Sequence, residues 1–559
     1  MKKLSITLFL SLFLIQCMAV KSVSTTTADT SNITRTSHTS NPKLVVGIVV
    51  DQMRYDYLTK FYNKYGKGGF KRIVNGGFNL QNVHYNYIPT YTAVGHASIY
   101  TGTTPEYHGI ISNSWYDKYL KKSIYCVDDS NFKTIGAPSG GSKSPHRLQT
   151  STITDQLKLA QNMQGKSIGI AIKDRSSILP AGHSANAAYW FEGGDVGKFI
   201  TSTYYLNKLP KWVDDFNEQD IADDYLNETW DTYYPIETYT ETGKDNNRYE
   251  GLFSGKDTPT FPYNLAKLRK FNSNYSLIKS TPAGNSLTTD FAIAAIKGEG
   301  LGMSKKHTDF LSISYSSPDY IGHQFGTNSK EIEDTYIRLD KELERLLLFL
   351  DKQVGIENYT VFLTADHAAV EVPNYLIDNK IPGGYFYYED FKAYLNNVTV
   401  KHFNSDNLIE NVSNFQIFLN ESELNSLELS KNHVAQIIAE EAIHFPKVYK
   451  TVTANTLKNT NFTSGILNRL QNGYNQKFSG DVMVIPNPAI IPYSKTGTTH
   501  GSGFSYDTHV PLIFYGNGIK KGASASYYPI IDIAPTLANI LKITEPNGST
   551  GKVIIEVLK

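Results

Sequence analysis

The run Leu44-Val45-Val46-Gly47-Ile48-Val49-Val50, followed directly by Asp51, decides the fold. Seven consecutive small or apolar residues are typical of a strand that is buried on both faces of a parallel sheet. An aspartate at the carboxyl end of such a strand lies at the edge of the sheet where open α/β folds bind ligands. The stretch therefore predicts an α/β protein whose functional site includes Asp51.

The same arrangement recurs along the chain. Residues 167–172 lead into Lys173-Asp174-Arg175, residues 310–315 into Asp319 and His323, and residues 359–364 into Asp366-His367, while residues 510–515 follow His500. Helical patterns lie between these runs, for example at 154–162 and at 332–350, where Leu339, Leu343, Leu346 and Leu347 share one face. Strands that alternate with helices predict a mostly parallel central sheet with helices on both faces.

Two long segments interrupt the alternation. Residues from about 196 to 276 are rich in Asp, Glu, Tyr and Asn, and residues from about 372 to 480 contain a helical pattern of their own at 429–443. We expect both segments to be insertions that border the ligand edge of the sheet. They belong to one α/β domain that covers residues 42–559.

The first residues have the pattern of an export signal. Lys2 and Lys3 precede the mostly apolar residues 4–19, which are too few for a comfortable membrane span. We expect residues 1–19 to be a cleaved signal peptide, residues 20–41 to be a disordered leader rich in Ser and Thr, and the protein to be periplasmic. Lipid anchoring at Cys17 is the alternative. Without Cys17, Cys126 is the single cysteine and no intrachain disulfide forms.

The charge balance limits the classes of partner. The formal net charge of the 559 residues is +1, which argues against nucleic acid and anionic membranes as partners. Any anion must therefore be recognised by charges that are local to a site. We expect a monomer that has no nucleic-acid partner and no transmembrane span.

The stretch Pro89-Thr90-Tyr91-Thr92 precedes the small, apolar residues 93–100, which have a helical pattern. Read alone, it favours Thr92 as a helix N-cap. The alternative is that Thr92 is a nucleophile, because the start of a helix favours negative charge and binds phosphate.

Seven candidate ligands suit a borderline metal such as Zn²⁺, which takes nitrogen and oxygen donors. They are Asp51, Thr92, Asp319, His323, Asp366, His367 and His500. Asp319 and His323 are four residues apart and so share one face of a helical segment. Each Asp–His pair taken alone also fits an ordinary surface ion pair.

The order and types of these residues resemble the two-zinc site of the alkaline phosphatase superfamily. The likeness covers nearly the whole mature chain and includes Thr101-Gly102, Pro105-x-x-His108-Gly109-Ile110 and Asp532-Ile533-Ala534-Pro535-Thr536-Leu537. Within the superfamily, the sequence is similar to the phosphate-irrepressible alkaline phosphatases of flavobacteria, in which the nucleophile is Thr. The motifs that point to this group are Asp51-Gln52-Met53-Arg54, Gly109-Ile110-x-x-Asn113 and Lys173-Asp174-Arg175.

The resemblance implies two Zn²⁺ per chain. One would be held by Asp51, Thr92, Asp366 and His367, and the other by Asp319, His323 and His500. It further implies that Thr92 forms a covalent phosphothreonine and that the catalytic residues Asn113, Lys173 and Arg175 bind the phosphoryl oxygens. Small phosphate monoesters would be the substrates. The alternatives are a solvated strand end for the Lys173–Arg175 triplet and a simple turn for Asn113.

Two other functions stay open. A phosphodiesterase or nucleotide pyrophosphatase would use the same two-metal site, but Lys173 and Arg175 favour the dianion of a monoester. A non-catalytic exported binding protein would keep only the scaffold. A sulfatase is disfavoured, because neither Cys126 nor Thr92 lies in a Cys/Ser-x-Pro-x-Arg context.

Overall fold

A ten-stranded sheet forms the centre of the protein, in a computed structural model that describes residues 41–559. The predicted signal peptide, Cys17 and the leader up to residue 40 lie outside the described residues. In chain order, the strands of this sheet are β1 Leu44–Val50, β2 Phe78–His84, β3 Thr134–Ile135, β4 Ser167–Ala171, β5 Ala187–Glu192, β6 Lys198–Ser202, β7 Asp309–Tyr315, β8 Tyr359–Thr364, β9 His509–Gly516 and β10 Gly522–Pro529. Their spatial order is β10-β2-β9-β8-β1-β7-β4-β5-β6-β3.

The sheet is mostly parallel, as the sequence predicts. The central strands β8, β1, β7, β4 and β5 all pair in parallel, whereas β9 and β6 pair antiparallel with their neighbours. Every residue of β1, β4, β7 and β8 is buried. Both faces of the central strands are therefore covered, which explains their uninterrupted apolar runs.

Helices pack around this sheet. Among the described residues, those of eight residues or more are α1 Thr92–Thr101, α2 Ile153–Ala160, α3 Asp174–Ala181, α4 Ala283–Glu299, α5 Ser317–Phe325, α6 Lys330–Gln353, α7 Tyr388–Phe403, α8 Lys431–Ala442, α9 Gly465–Gly473 and α10 Ile533–Leu541. The predicted apolar face of α6 is buried at Leu339, Leu343, Leu346 and Leu347. Over residues 41–559, no helix combines the length and the apolar character that a bilayer span requires.

A smaller antiparallel sheet is formed by the second interrupting segment together with the strand Val482–Pro486 that follows it. Its four strands are, in spatial order, Ile409–Ser413, Gln416–Leu419, Val482–Pro486 and Val448–Thr453. Together with α7 and α8, these strands enclose a core of their own that includes Leu395, Ile417 and Ile438. In the first interrupting segment, β6 joins the central sheet, and the strands Thr229–Trp230 and Tyr263–Asn264 form a separate pair.

The register of the central sheet brings its strand ends to one level. Val50 pairs with Tyr315, Val49 with Thr364, and Ser314 with Ala171. The residues that follow β1, β4, β7 and β8 therefore leave the sheet side by side. This is the edge at which the sequence places the candidate site.

Candidate active site

The structure brings all seven candidate metal ligands together at this edge. Asp51 directly follows β1, Asp366 and His367 follow β8, and α5 carries Asp319 and His323 after β7. His500 arrives from the loop before β9, and Thr92 opens α1. All of these residues except His323 are less than one-tenth exposed. A cluster of acidic and imidazole groups buried in this way requires a compensating charge.

The first group of potential ligands is Asp319, His323 and His500. The Oδ1 atom of Asp319 lies 3.2 Å from Nε2 of His323 and 3.5 Å from Nε2 of His500. Nδ1 of His323 donates to the carbonyl oxygen of Thr498 at 2.7 Å, and Nδ1 of His500 donates to that of Thr90 at 2.7 Å. These carbonyls fix the imidazoles so that both Nε2 atoms face Asp319, as metal-ligating histidines require.

The second group lies around His367. Its Nε2 atom is 3.5 Å from Oδ1 of Asp51 and 3.5 Å from Oδ2 of Asp366, while its Nδ1 donates to the carbonyl oxygen of Ala368 at 3.1 Å. Oδ1 of Asp51 and Oδ2 of Asp366 are buried and have no hydrogen-bond partner among residues 41–559. Buried carboxylate oxygens are rarely left without a partner, so these two atoms fit the role of ligands to a cation.

The two groups share Asp319. One oxygen of Asp319 lies within ligand distance of His323 and His500, and its carboxylate also groups with Asp51 and His367. Three carboxylates, three imidazoles and a hydroxyl match the donors that zinc takes in proteins. The residues therefore fit a metal centre with more than one position.

Burial dominates the titration of Asp51 and Asp366, whereas His323 and Lys173 outweigh burial at Asp319 and lower its pKa. Burial raises the pKa of Asp51 to about 6, although Lys173 opposes the shift. The pKa of Asp366 is raised well above its usual range by burial and by the charge of Asp51. Burial lowers the pKa of both His367 and His500, which keeps their imidazoles neutral and able to bind a metal.

Lys173 is buried inside the site. It is 4% exposed, and its ammonium group lies 2.7 Å from Oδ2 of Asp51 and 2.5 Å from Oδ2 of Asp319. Burial opposes its charge, but the carboxylates of Asp319 and Asp51 outweigh burial and raise the pKa of Lys173. Lys173 is therefore not the solvated strand end that the sequence left open.

Asn113 contacts the start of α1, and Arg175 lies in the first turn of α3. Nη1 of Arg175 donates to the hydroxyl of Tyr125 at 2.9 Å, and its Nε is buried without a partner among the described residues. Oδ1 of Asn113 accepts the backbone N–H of Ala93 at 2.8 Å. That bond fixes the amide of Asn113 beside Thr92 and leaves its NH₂ group to donate elsewhere.

The prediction that Thr92 is a helix N-cap is wrong. Helix α1 begins at Thr92 itself, Tyr91 occupies the N-cap position, and no side chain makes a capping hydrogen bond there. Instead, Oγ1 of Thr92 lies 3.4 Å from Nε2 of His367. The hydroxyl is thus turned into the site, and Asn113 accepts the free N–H of Ala93 in its place.

Two further residues position these ligands, and neither was assigned a role from the sequence. The backbone N–H of Gln52 donates to Oδ1 of Asp366 at 3.1 Å, and its Nε2 donates to Oδ1 of Asp319 at 2.7 Å. Nδ1 of His96 donates to the carbonyl oxygen of Thr92 at 2.9 Å and lies 3.4 Å from Oδ2 of Asp366. Their positions in the sequence, next to Asp51 and one helical turn after Thr92, are the signals that could have identified them.

Comparisons with known proteins show the family to which the chain is related. The family model described as type I phosphodiesterase / nucleotide pyrophosphatase matches residues 45–510. Alkaline phosphatase PafA of Elizabethkingia meningoseptica is 46% identical over 528 residues, which cover 94% of this chain and 96% of the relative. Alkaline phosphatase PhoV of Synechococcus elongatus is 44% identical over 525 residues, which cover 93% and 94%. The crystal structure of wild-type alkaline phosphatase PafA has a TM-score of 0.89 and 46% identity, and the match covers 93% of this chain and 99% of that chain.

These matches extend over nearly the whole chain, and the family model spans most of it. They confirm the resemblance that was inferred from the motifs around Asp51, Thr92 and Lys173. The chain belongs to the type I phosphodiesterase / nucleotide pyrophosphatase family and, within it, to the alkaline phosphatases of the PafA type.

Proposed function

We propose that this protein is an exported, zinc-dependent alkaline phosphatase that hydrolyses small phosphate monoesters through a covalent phosphothreonine at Thr92. The observation that carries the proposal is the position of Thr92. Its hydroxyl lies at the start of α1, beside His367 and within a cluster of six further donors that fit zinc. PafA and PhoV, to which the chain is similar, are both named alkaline phosphatases.

The residues that would hold the two Zn²⁺ are those the motifs assign. Asp51, Thr92, Asp366 and His367 form one set, and Asp319, His323 and His500 form the other. Bound zinc would supply Lewis-acid stabilisation of the oxygens that enter and leave phosphorus, and would lower the pKa of the threonine hydroxyl.

The chain's own groups bind and orient the phosphoryl group. Arg175 has no carboxylate partner within the described residues, so its guanidinium is available to two phosphoryl oxygens at once. The NH₂ group of Asn113 is held beside Thr92 by the Ala93 bond and donates to a further oxygen. Lys173 adds a buried positive charge next to Asp51 and Asp319. Two cations and an amide donor suit the dianion of a monoester.

The reaction is a double displacement. Oγ1 of Thr92 attacks phosphorus, the P–Oγ1 bond forms, and the bond to the substrate's alkoxy oxygen breaks, so that the alcohol leaves. Water then attacks phosphorus from the vacated side, the P–Oγ1 bond breaks, and inorganic phosphate leaves as Thr92 recovers its proton. The backbone N–H groups at the start of α1 favour the negative charge that develops near Oγ1 in both steps.

Three finer parts of the proposal rest on the sequence. Residues 1–19 would direct export to the periplasm and then be cleaved off, and the chain would act as a monomer. Residues from about 196 to 276 and from about 372 to 480 would be insertions that border the substrate side of the site.

The test is a phosphate-release assay on several monoesters, with and without a chelator, followed by addition of zinc. We expect chelation to abolish activity and zinc to restore it, whereas activity that survives chelation refutes zinc dependence. Thr92→Ala should abolish turnover and Thr92→Ser should retain part of it. Thr90→Ala is the matched control, because the Thr90 hydroxyl donates to the carbonyl oxygen of Ser502 and not into the site. A fully active Thr92→Ala enzyme would remove the nucleophile assignment.

A phosphodiesterase is the second candidate, because the family description includes that activity. The discriminating pair is p-nitrophenyl phosphate and its methyl diester. Lys173 and Arg175 predict a preference for the monoester, and a strong preference for the diester would reverse the assignment.

A further inference from the structure

Lys279 is a cation beside the site without a counter-ion. It lies near the end of the short helix Tyr275–Ser280 and is half-buried. Among residues 41–559, its side chain makes no ion pair and donates no hydrogen bond, and its ammonium group lies over the ring of Tyr320. The charge of Glu192 acts to raise the pKa of Lys279, but the two side chains form no ion pair.

Tyr320 connects Lys279 to the phosphoryl end of the site. The ammonium nitrogen of Lys279 lies 4.9 Å from the centre of the Tyr320 ring, and that of Lys173 lies 4.8 Å from the same centre. The two nitrogens are therefore no more than about 10 Å apart. Tyr320 belongs to α5, between the candidate ligands Asp319 and His323.

A cavity of about 470 Å³ lies beside Tyr320 of α5. Ser280 and Tyr320 line it together with His323, Gln324 and Tyr493. The ring of Tyr493 stacks on that of His323 at 5.5 Å between centroids. In the proposed double displacement, the ligand set without Thr92, to which His323 belongs, would stabilise the leaving oxygen, so this cavity is where the organic part of a bound monoester would lie.

Two cations in this corner, Lys279 and Arg175, make no ion pair among residues 41–559. Asp174 is already paired with Lys143 at 3.0 Å, and Arg175 makes no ion pair within the described part of the chain. Burial, together with the charges of Lys173 and Arg175, lowers the pKa of Lys279. Lys279 adjoins the lining residue Ser280 and lies over the ring of the lining residue Tyr320, so an anionic group bound in the cavity would lie near a cation that makes no ion pair among residues 41–559.

We propose that Lys279 determines specificity by binding a second anionic group, a carboxylate or a phosphate, that the leaving group of the monoester carries. The site would be the cavity lined by Ser280 and Tyr320. This inference rests on the proposed function, because it concerns the leaving group of the same reaction. The competing interpretation is that Lys279 only packs on Tyr320.

The experiment compares 3-carboxyphenyl phosphate with 3-carbamoylphenyl phosphate, and the corresponding 4-substituted pair. The two members of each pair have similar size and differ in the charge of one group. They are assayed with the zinc-loaded parent enzyme, with Lys279→Gln, with Lys279→Arg and with the control Lys297→Gln. Lys297 also lies over an aromatic ring, that of Phe349, but on α4 and outside the cavity.

We expect Lys279→Gln to lower kcat/KM for one of the carboxyl substrates by about tenfold, the effect of one charge-assisted hydrogen bond. The loss should appear mainly as a higher KM, and kcat/KM for the matching carbamoyl substrate should stay within about twofold of the parent. Lys279→Arg should retain most of the parent's kcat/KM for the carboxyl substrate. Lys297→Gln should leave kcat/KM unchanged for both the carboxyl and the carbamoyl substrate. An equal loss for both members of a pair, or no loss for any, overturns the inference while the proposed function stands. A parent enzyme that hydrolyses neither member refutes the proposed function itself.

Discussion

Gln52→Ala is expected to weaken zinc binding without removing a metal ligand. Gln52 is buried, and its Nε2 donates to Oδ1 of Asp319, the oxygen that also faces His323 and His500. The substitution keeps the backbone N–H that donates to Asp366. Gln52 has a φ of +64°, in the left-handed region that costs Ala about as much as Gln. The change therefore isolates one side-chain hydrogen bond.

The size of the effect follows from the charge of the acceptor. A hydrogen bond to an ionised, buried group contributes about 1.5–3 kcal/mol. Loss of a partner that orients a metal ligand typically lowers metal affinity by about 10–100-fold. Both estimates agree, because about 1.4 kcal/mol corresponds to a factor of ten in an equilibrium constant. We expect an apparent zinc dissociation constant about 10–100-fold higher than that of the parent.

The assay is phosphate release at buffered concentrations of free zinc. The activity curve of Gln52→Ala should shift to higher zinc, and its plateau should lie within about threefold of the parent plateau, since no group that contacts the substrate is lost. The exposed Gln436→Ala on α8 is a matched control and should follow the parent curve. Coincident curves for Gln52→Ala and the parent would refute the reasoning. A shifted midpoint with a lost plateau would show that Gln52 acts on the reaction itself.

Three further changes test other parts of the structure. Gly95→Ala would place a methyl carbon 2.2 Å from the carbonyl oxygen of Asp366, so it should displace α1 and lower activity at saturating zinc more than tenfold. Lys173→Met should lower the unfolding free energy of the zinc-free protein by about 3–5 kcal/mol, since it strands buried carboxylates, and excess zinc should narrow the gap. Burial lowers the pKa of His108 to about 3, below the unfolded value near 6.5, so its neutral form stabilises the fold above pH 6.5 and this stability is lost as the pH falls. Denaturant titrations of the parent and His108→Gln should therefore show a stability difference that shrinks by about 2 kcal/mol between pH 7 and pH 5.

The central strands could be predicted almost to the residue. The run at 44–50 is strand β1, and the run at 359–364 is β8. Burial on both faces permits only apolar or small side chains there, so the pattern has no competing interpretation. The strands of the smaller sheet carry no such signal. Ile409–Ser413 has one buried residue followed by four that are partly exposed, and a short strand of this kind resembles a loop in sequence.

The site was predictable in its residue types but not in its connections. An acidic residue after a buried strand indicates the ligand edge, and this identified Asp51 and Asp366. The bond from Gln52 to Asp319 joins residues 267 apart in the chain, so it depends on the register of β1 and β7. Read alone, the stretch at Thr92 favours a helix cap, because local propensity is all that a short stretch shows, whereas the contact between its hydroxyl and His367 joins residues 275 apart in the chain.

Lys173 links the stability of the site to its proposed activity. Its ammonium group holds Asp51 and Asp319 together, and these carboxylates belong to the two different sets of proposed zinc ligands. Lys173 and a bound cation would therefore be stabilised by the same negative charge. Each would weaken the attraction between the carboxylates and the other. With zinc bound, the ammonium group has less to neutralise and more to offer a phosphoryl oxygen. Lys173 would thus stabilise the carboxylates in the zinc-free protein and contribute its charge to the substrate in the zinc-loaded enzyme. This is why the Lys173→Met variant should differ most from the parent in stability without zinc and most in activity with it.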